Sequence, residues 1–167
     1  VTKIAERVGQ LRTGDGTRGC DMGPLITRAH RDKVAGYLDI AVADGAEIVV
    51  DGRDVVVDGG DDGFWLGPTL IDRVATTSAV YTDEIFGPVL SVVRVAGYDE
   101  GLALIEASPY GNGTAIFTND GGAARRFQRG GRRGRCGGLW AAAHRHRHRR
   151  LHSPARRLVR NLRLQAQ

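Results

Sequence analysis

The sequence predicts an α/β fold, because segments with helical spacing of apolar residues alternate with short runs of β-branched residues. The alternation is clearest over residues 89–127, where strand, helix, strand and helix patterns follow one another. This order favours a parallel pair of strands joined by a right-handed crossover. A length of 167 residues, 41% of them hydrophobic, is enough for one domain with a modest core.

Two helices are expected in the first 45 residues. Apolar residues from Val1 to Leu11 recur at helical spacing, and a Gly/Asp-rich turn follows at residues 13–16. A second helix is expected over residues 27–44, with Thr27 as its N-cap. Gly45 then supplies a C-terminal stop.

Strand patterns occupy the middle of the chain. Asp51-Gly52 separates Glu47–Val50 from Val55–Val57 and thereby predicts a β-hairpin. Further strand patterns lie at residues 64–66, 69–71, 89–95 and 113–118. The last two are dense in apolar and β-branched residues and are expected to be buried.

Two short helices complete the pattern. They are expected at Asp99–Ala107, with Asp99 as N-cap, and at Ala123–Phe127. The packing face of the first is marked by Leu102, Leu104 and Ile105. Another strand is due after Phe127, but the sequence that follows contains no Ile or Phe and is not expected to supply a good one.

Charge divides the chain after Phe127. Residues 1–127 hold 12 basic and all 19 acidic residues, a net charge of −7. Residues 128–167 hold 12 Arg and no acidic residue, a net charge of +12. We therefore expect residues 1–127 to form the α/β domain and residues 128–167 to be a largely disordered basic tail.

Composition argues against several classes of protein. No apolar run reaches the ~20 residues of a membrane span, and no secretory leader is expected. Two cysteines, Cys20 and Cys136, are too few for a disulfide framework or a CxxC metal site. The reducing cytoplasm is therefore the expected compartment.

Four segments together resemble the aldehyde dehydrogenase superfamily: Asp21–Ile26, Gly67–Leu70, Glu84–Val89 and Pro109–Thr118. The third, EIFGPV, is the most specific, since it resembles the family's cofactor-facing loop before a catalytic-domain strand. Asn112-Gly113 in the fourth makes it similar to the CoA-acylating methylmalonate-semialdehyde dehydrogenases. Residues 1–127 are thus expected to be part of an aldehyde dehydrogenase catalytic domain with parallel βαβ units.

The resemblance implies NAD-dependent oxidation of methylmalonate or malonate semialdehyde, as in valine catabolism, with CoA as co-substrate. In the family a cysteine thiolate attacks the aldehyde, a hydride passes to NAD, and the acyl group is released to CoA. The implied partners are a small aldehyde and either a second copy of the chain or an intact homologue.

Glu84 and Phe86 are the candidate cofactor-binding residues. By resemblance, Glu84 accepts hydrogen bonds from the nicotinamide ribose hydroxyls, and Phe86 lies against the nicotinamide ring. Without the resemblance, Glu84 would be a solvated acid beside Asp83, and Phe86 an ordinary core aromatic. Gly87-Pro88 is expected to shape the turn into the strand.

No catalytic residue is identified, and whether this chain is itself an enzyme stays open. By resemblance, the nucleophilic cysteine lies upstream in a Gly-Gln-x-Cys context, which neither Cys20 nor Cys136 matches. The family's nucleotide-binding domain has no counterpart here either. We expect the isolated chain to be inactive and to hold NAD too weakly for stable binding.

The basic tail leaves alternatives open. In one alternative, its arginines bind nucleic acid non-specifically. In the other, the α/β domain associates with an intact homologue and acts as an interaction fragment. His144, His146 and His148 are not expected to bind a metal, because the arginines between them repel cations. Gly130–Gly134 is compatible with a frameshift, since a one-base shift of suitable codons gives the family-like peptide Glu-Val-Asp-Ala-Gly.

Overall fold

The computed structural model describes residues 1–57, 62–110, 113–130 and 139–143. Two compact units share the chain, Val1–Ala96 and Gly97–Gln167. The fold is α/β, as predicted, and each unit contains one parallel pair of strands with a helix between them. The boundary expected at Phe127 from charge stays a prediction.

The first unit is built on a three-stranded sheet. Its strands are β1 (Glu47–Val50), β2 (Thr69–Asp72) and β3 (Val89–Ser91), in the order β1-β2-β3. β1 pairs antiparallel with β2, and β2 pairs parallel with β3. All four residues of β2 are buried, so this strand forms the centre of the unit.

The hairpin predicted around Asp51-Gly52 is wrong. β1 pairs with β2 instead, and residues 55–57 lie outside any strand. The reason is a close backbone approach: Gly67 N–H donates to the Gly52 carbonyl at 2.8 Å, and Gly52 N–H donates to Thr69 Oγ1 at 3.0 Å. These bonds hold the turn against the segment that leads into β2.

Three helices accompany this sheet: α1 (Thr2–Val8), α2 (Arg28–Ala43) and α3 (Ala79–Thr82). The N-cap prediction for α2 is confirmed, since Thr27 Oγ1 accepts a hydrogen bond from His30 N–H at 3.1 Å. The stop is confirmed as well, because Gly45 has a φ of 84°, a conformation that suits glycine after a helix. α3 lies between the parallel strands β2 and β3, forming a short βαβ unit.

The core of the first unit joins α2 to the sheet. Tyr37 and Ala41 of α2 cluster with Ile71, Val74 and Val80, all of them buried. Because α2 is 16 residues long and packs on this core, the side chains along its inner face are held in place.

The second unit contains α4 (Tyr98–Ala107), β4 (Thr114–Thr118), α5 (Gly121–Gly130) and β5 (Leu139–Ala143). β4 and β5 pair in parallel along their whole length. The expectation that no good strand follows Phe127 is therefore wrong, because β5 supplies one. The rest of the tail, whose disorder was expected, lies outside the described residues.

Three further details differ from expectation. The parallel pairs are β2–β3 and β4–β5, so the pair expected between the strands of residues 89–118 is wrong. The burial expected for the strands of residues 89–95 and 113–118 is also wrong. β3 is short and its Leu90 is 48% exposed, while β4 alternates between half-buried and exposed residues.

Gly97 rather than Asp99 is the N-cap of α4. Asp99 lies in the first turn, where a carboxylate favours the helix dipole.

Candidate functional site

The loop of residues 84–88 leads from α3 into β3 and presents two side chains to solvent. Glu84 is exposed, and the Phe86 ring is 72% exposed. Ile85, between them, packs instead against the buried core cluster of the first unit. Both predicted site residues therefore lie on the outside of the loop, and the residue between them, Ile85, is anchored in the core.

The backbone of this loop has an unusual conformation at Phe86. Its φ is 51°, in the left-handed region that residues other than glycine seldom adopt. The Phe86 carbonyl accepts a hydrogen bond from His30 Nε2–H at 2.8 Å. Since a carbonyl oxygen only accepts, the proton of this bond is on Nε2. His30 is half-buried at the start of α2.

Two further contacts with α2 fix the ends of the loop. Tyr37 Oη–H donates to Asp83 Oδ2 at 2.8 Å, at the residue where α3 ends. Gly87 lies so close to Val34 that a Cβ added there would be 2.5 Å from Val34 Cγ1. On the strand side, Thr69 N–H donates to the Pro88 carbonyl at 2.8 Å. The turn is thus fixed at both ends.

Glu84 carries a carboxylate without a hydrogen bond or ion pair to any other residue that the structure describes. Two carboxylate oxygens exposed in this way can accept bonds from a pair of neighbouring hydroxyls, and the open Phe86 ring offers a flat apolar surface. The two side chains together therefore suit a sugar joined to an aromatic ring.

Neither Cys20 nor any other described residue supplies a catalytic constellation beside this loop. Cys20 is half-buried in a turn closed by Arg12, whose backbone N–H donates to Asp21 Oδ2 at 2.9 Å. Cys136 and the three tail histidines lie outside the described residues. Within the described ranges there is no group of three His, Cys, Asp or Glu that could hold a metal ion.

Sequence reasoning found Glu84 and Phe86 but missed the residues that hold them. His30, Val34 and Tyr37 contact the loop segment from one face of α2. Their spacing of four and three residues was visible in the sequence as a helix face. Nothing in the sequence indicated that this face would meet residues more than 40 positions away.

Ion pairs stabilise the framework around the site. Arg94 pairs with both carboxylate oxygens of Asp72 at 2.9 and 2.6 Å, and the guanidinium holds the pKa of Asp72 below its ordinary value. Arg53 similarly contacts Asp51 and Asp39, and its hydrogen bonds lower the pKa of Asp51. Asp72 ends β2, so its ion pair links that strand to the segment after β3.

None of the helices in the described part of the chain has the length and apolar character that a bilayer crossing requires. The anchored loop with its exposed acid and ring lies within the parallel βαβ unit, between α3 and β3. The model of the aldehyde dehydrogenase family matches residues 1–152, and the chain belongs to this family.

Its relatives include malonate-semialdehyde and methylmalonate-semialdehyde dehydrogenases. Malonate-semialdehyde dehydrogenase of Pseudomonas aeruginosa is 52% identical over 128 residues, which are 76% of this chain and 26% of that enzyme. The rat methylmalonate-semialdehyde/malonate-semialdehyde dehydrogenase [acylating] is 41% identical over 76% of this chain and 24% of its own length. The chain thus spans only about a quarter of the curated relatives it matches.

Solved structures give the same family. Methylmalonate-semialdehyde dehydrogenase from Oceanimonas doudoroffii superposes with a TM-score of 0.77 at 46% identity, covering 84% of this chain and 28% of that one. A putative methylmalonate-semialdehyde dehydrogenase from Sinorhizobium meliloti, solved with NAD, gives 0.76 at 40% identity over the same shares.

Proposed function

We propose that the 84–88 loop is the nicotinamide-binding element of a dehydrogenase that oxidises methylmalonate or malonate semialdehyde with NAD and CoA. The observation that carries the proposal is the pairing of an exposed Glu84 carboxylate with an exposed Phe86 ring on one anchored turn. The NAD-bound relative of similar fold supports the choice of cofactor.

Glu84 and Phe86 have different tasks in this proposal. NAD, when bound, accepts the hydride of the oxidation. Glu84 accepts hydrogen bonds from the ribose hydroxyls and so sets the rotation of the sugar about its link to the ring. Phe86 covers one side of the nicotinamide with an apolar surface and excludes water there. Both residues act by orientation, which is the protein's main contribution to cofactor chemistry.

The CoA-dependent release step is proposed from the relatives rather than from contacts in this chain. The rat relative carries the word acylating in its name, and Asn112-Gly113 resembles that subfamily. With this activity the protein would serve valine catabolism in the cytoplasm. We propose further that part of residues 128–167 is read in a shifted frame, which sequencing of the gene tests directly.

The isolated 167-residue chain is proposed to be catalytically inactive. Two contacts to one end of a dinucleotide are too few to offset the entropy of binding, and neither cysteine lies in a context suited to a nucleophile. Purified chain mixed with NAD, CoA and malonate semialdehyde is expected to give no absorbance increase from NADH. A stoichiometric burst of NADH would contradict this part of the proposal.

The parent activity is tested in a whole enzyme. Residues 1–127 replace the matched segment of the Pseudomonas aeruginosa relative, and the chimera is assayed for NADH formation from malonate semialdehyde. Glu84→Gln is expected to lower kcat/KM for NAD about tenfold or more, since it removes a charge-assisted pair of bonds. Glu6→Gln, an exposed acid on α1, is the matched control and should leave the rate unchanged. An unaffected Glu84→Gln chimera would overturn the role of Glu84.

A further inference from the structure

The left-handed backbone at Phe86 needs an explanation. A residue with a Cβ is strained in this region, and such conformations persist only where the surroundings enforce them. The strain lies on the residue whose ring the proposed function uses. The contacts that enforce the positive φ of Phe86 therefore set the directions in which the Glu84 and Phe86 side chains point.

Three of the contacts that hold the loop come from one face of α2. His30, Val34 and Tyr37 follow one another at intervals of four and three residues, so they form a single stripe along the helix. Tyr37 fixes the start of the loop at Asp83, and Val34 closes against Gly87. Between these two positions, His30 is the one residue in the described part of the chain whose side chain bonds to the loop backbone, through the Phe86 carbonyl at 2.8 Å.

We propose that His30 is a positioning residue for the nicotinamide end of the cofactor. Its Nε2–H holds the Phe86 carbonyl in the orientation that the positive φ requires, and thereby fixes the outward directions of Glu84 and Phe86. The claim about cofactor binding rests on the proposed function, whereas the claim about loop geometry does not.

The alternative conformation is defined by the same geometry. Without the His30 bond, the Phe86 peptide can relax to a negative φ, which turns its carbonyl away from α2 and swings both exposed side chains. Val34 and Tyr37 still hold the flanking residues, so the change stays local. A merely structural role for His30 would instead lower the stability of the whole unit.

The length of the side chain provides a sharp test. In Gln the amide nitrogen extends about as far from the backbone as Nε2, whereas in Asn it reaches only the position of Nδ1. His30→Gln is therefore expected to keep the bond, while His30→Asn and His30→Ala lose it. Val42→Ala, a change at an exposed residue near the other end of the same helix, is the matched control.

The experiment uses the full 167-residue chain, labelled with ¹⁵N and ¹³C. The φ-dependent couplings and backbone shifts of Phe86 and Gly87 report the loop geometry, and urea denaturation reports stability. Because the isolated chain is expected to hold NAD too weakly, cofactor binding is measured as the KM for NAD of the chimera with the Pseudomonas aeruginosa relative. Loss of one hydrogen bond to the loop is expected to raise this KM about five- to tenfold in His30→Ala and His30→Asn. In His30→Gln and Val42→Ala the KM should stay within about twofold of the unmodified chimera.

The outcomes separate the two claims. Altered Phe86 couplings in His30→Ala and His30→Asn, restored in His30→Gln, support the positioning role. Unchanged couplings in all variants overturn it, as does a parallel loss of stability without rescue by Gln. If Glu84→Gln and the His30 variants all leave the KM of the chimera for NAD unchanged, the proposed function of the loop fails, and the couplings still decide whether His30 sets its geometry.

Discussion

The two units of the chain use the same βαβ arrangement with different degrees of burial. In the first unit the central strand β2 is buried at every residue and packs on the long helix α2. In the second, β4 alternates and its Phe117 is 85% exposed, while α4 has no buried residue. The first unit therefore has the core that holds a site loop in a strained conformation, and the comparison explains why the anchored loop lies there.

The largest expected effect contrasts β2 of the first unit with β4 of the second. Leu70→Ala in β2 removes a fully buried side chain and should lower the free energy of unfolding by about 3 kcal/mol. Phe117→Ala in β4 removes a larger but exposed side chain and should change it by less than about 0.5 kcal/mol. Urea denaturation of both variants measures the difference. Equal losses would show that the contrast in burial has no energetic meaning.

The next effect concerns the contact that closes the site loop. Gly87→Ala places a Cβ 2.5 Å from Val34 Cγ1 and should destabilise the first unit by about 1–3 kcal/mol. Val34→Ala in the same chain makes room, so the double variant should recover part of the loss relative to the sum of the single changes. Strictly additive effects in this double-mutant cycle would contradict the proposed contact.

Helix caps give a smaller contrast between the units. Thr27→Ala removes the side-chain cap of α2 and should cost about 1 kcal/mol. Gly97, the N-cap of α4, has extended backbone and no atom near its missing Cβ, so Gly97→Ser should stabilise by a few tenths of a kcal/mol at most. Thermal unfolding followed by circular dichroism measures both. A stabilising Thr27→Ala would be incompatible with the cap geometry.

The smallest effect is a dependence of stability on acid. Arg94 holds the folded-state pKa of Asp72 below the unfolded value, so this carboxylate contributes stability above that unfolded value. The contribution is lost as the pH falls through the folded-state pKa, below about pH 4. Arg94→Met should flatten this acid-side loss, and urea midpoints between about pH 2 and 6 measure it. An unchanged dependence of the urea midpoint on pH in Arg94→Met would show that the Asp72–Arg94 ion pair does not cause the loss of stability in acid.

Local signals predicted much of the fold. The cap at Thr27, the stop at Gly45 and the α/β class follow from short-range chemistry, and the structure has all three. Strand pairing was harder to predict. β1 pairs with β2 because Gly52 and Gly67 approach closely, and the periodicity of the sequence does not reveal this contact. β5 was missed because composition after Phe127 is poor in strand-forming residues.

The candidate site, too, was only partly predictable from the sequence. Glu84 and Phe86 were found through a short string resembling a family motif, and both are exposed on one loop. The positive φ of Phe86 and its bond to His30 depend on how α2 packs over the sheet. Contacts of this kind arise from tertiary structure, so residue patterns alone do not show them.

Binding of NAD to the chimera with the Pseudomonas aeruginosa relative, followed by the quenching of protein fluorescence, tests the central claim most directly. We expect saturable binding with a Kd that rises about tenfold or more in Glu84→Gln and is unchanged in Glu6→Gln. The same Kd in Glu84→Gln as in the unmodified chimera would contradict the assignment of this loop to the cofactor.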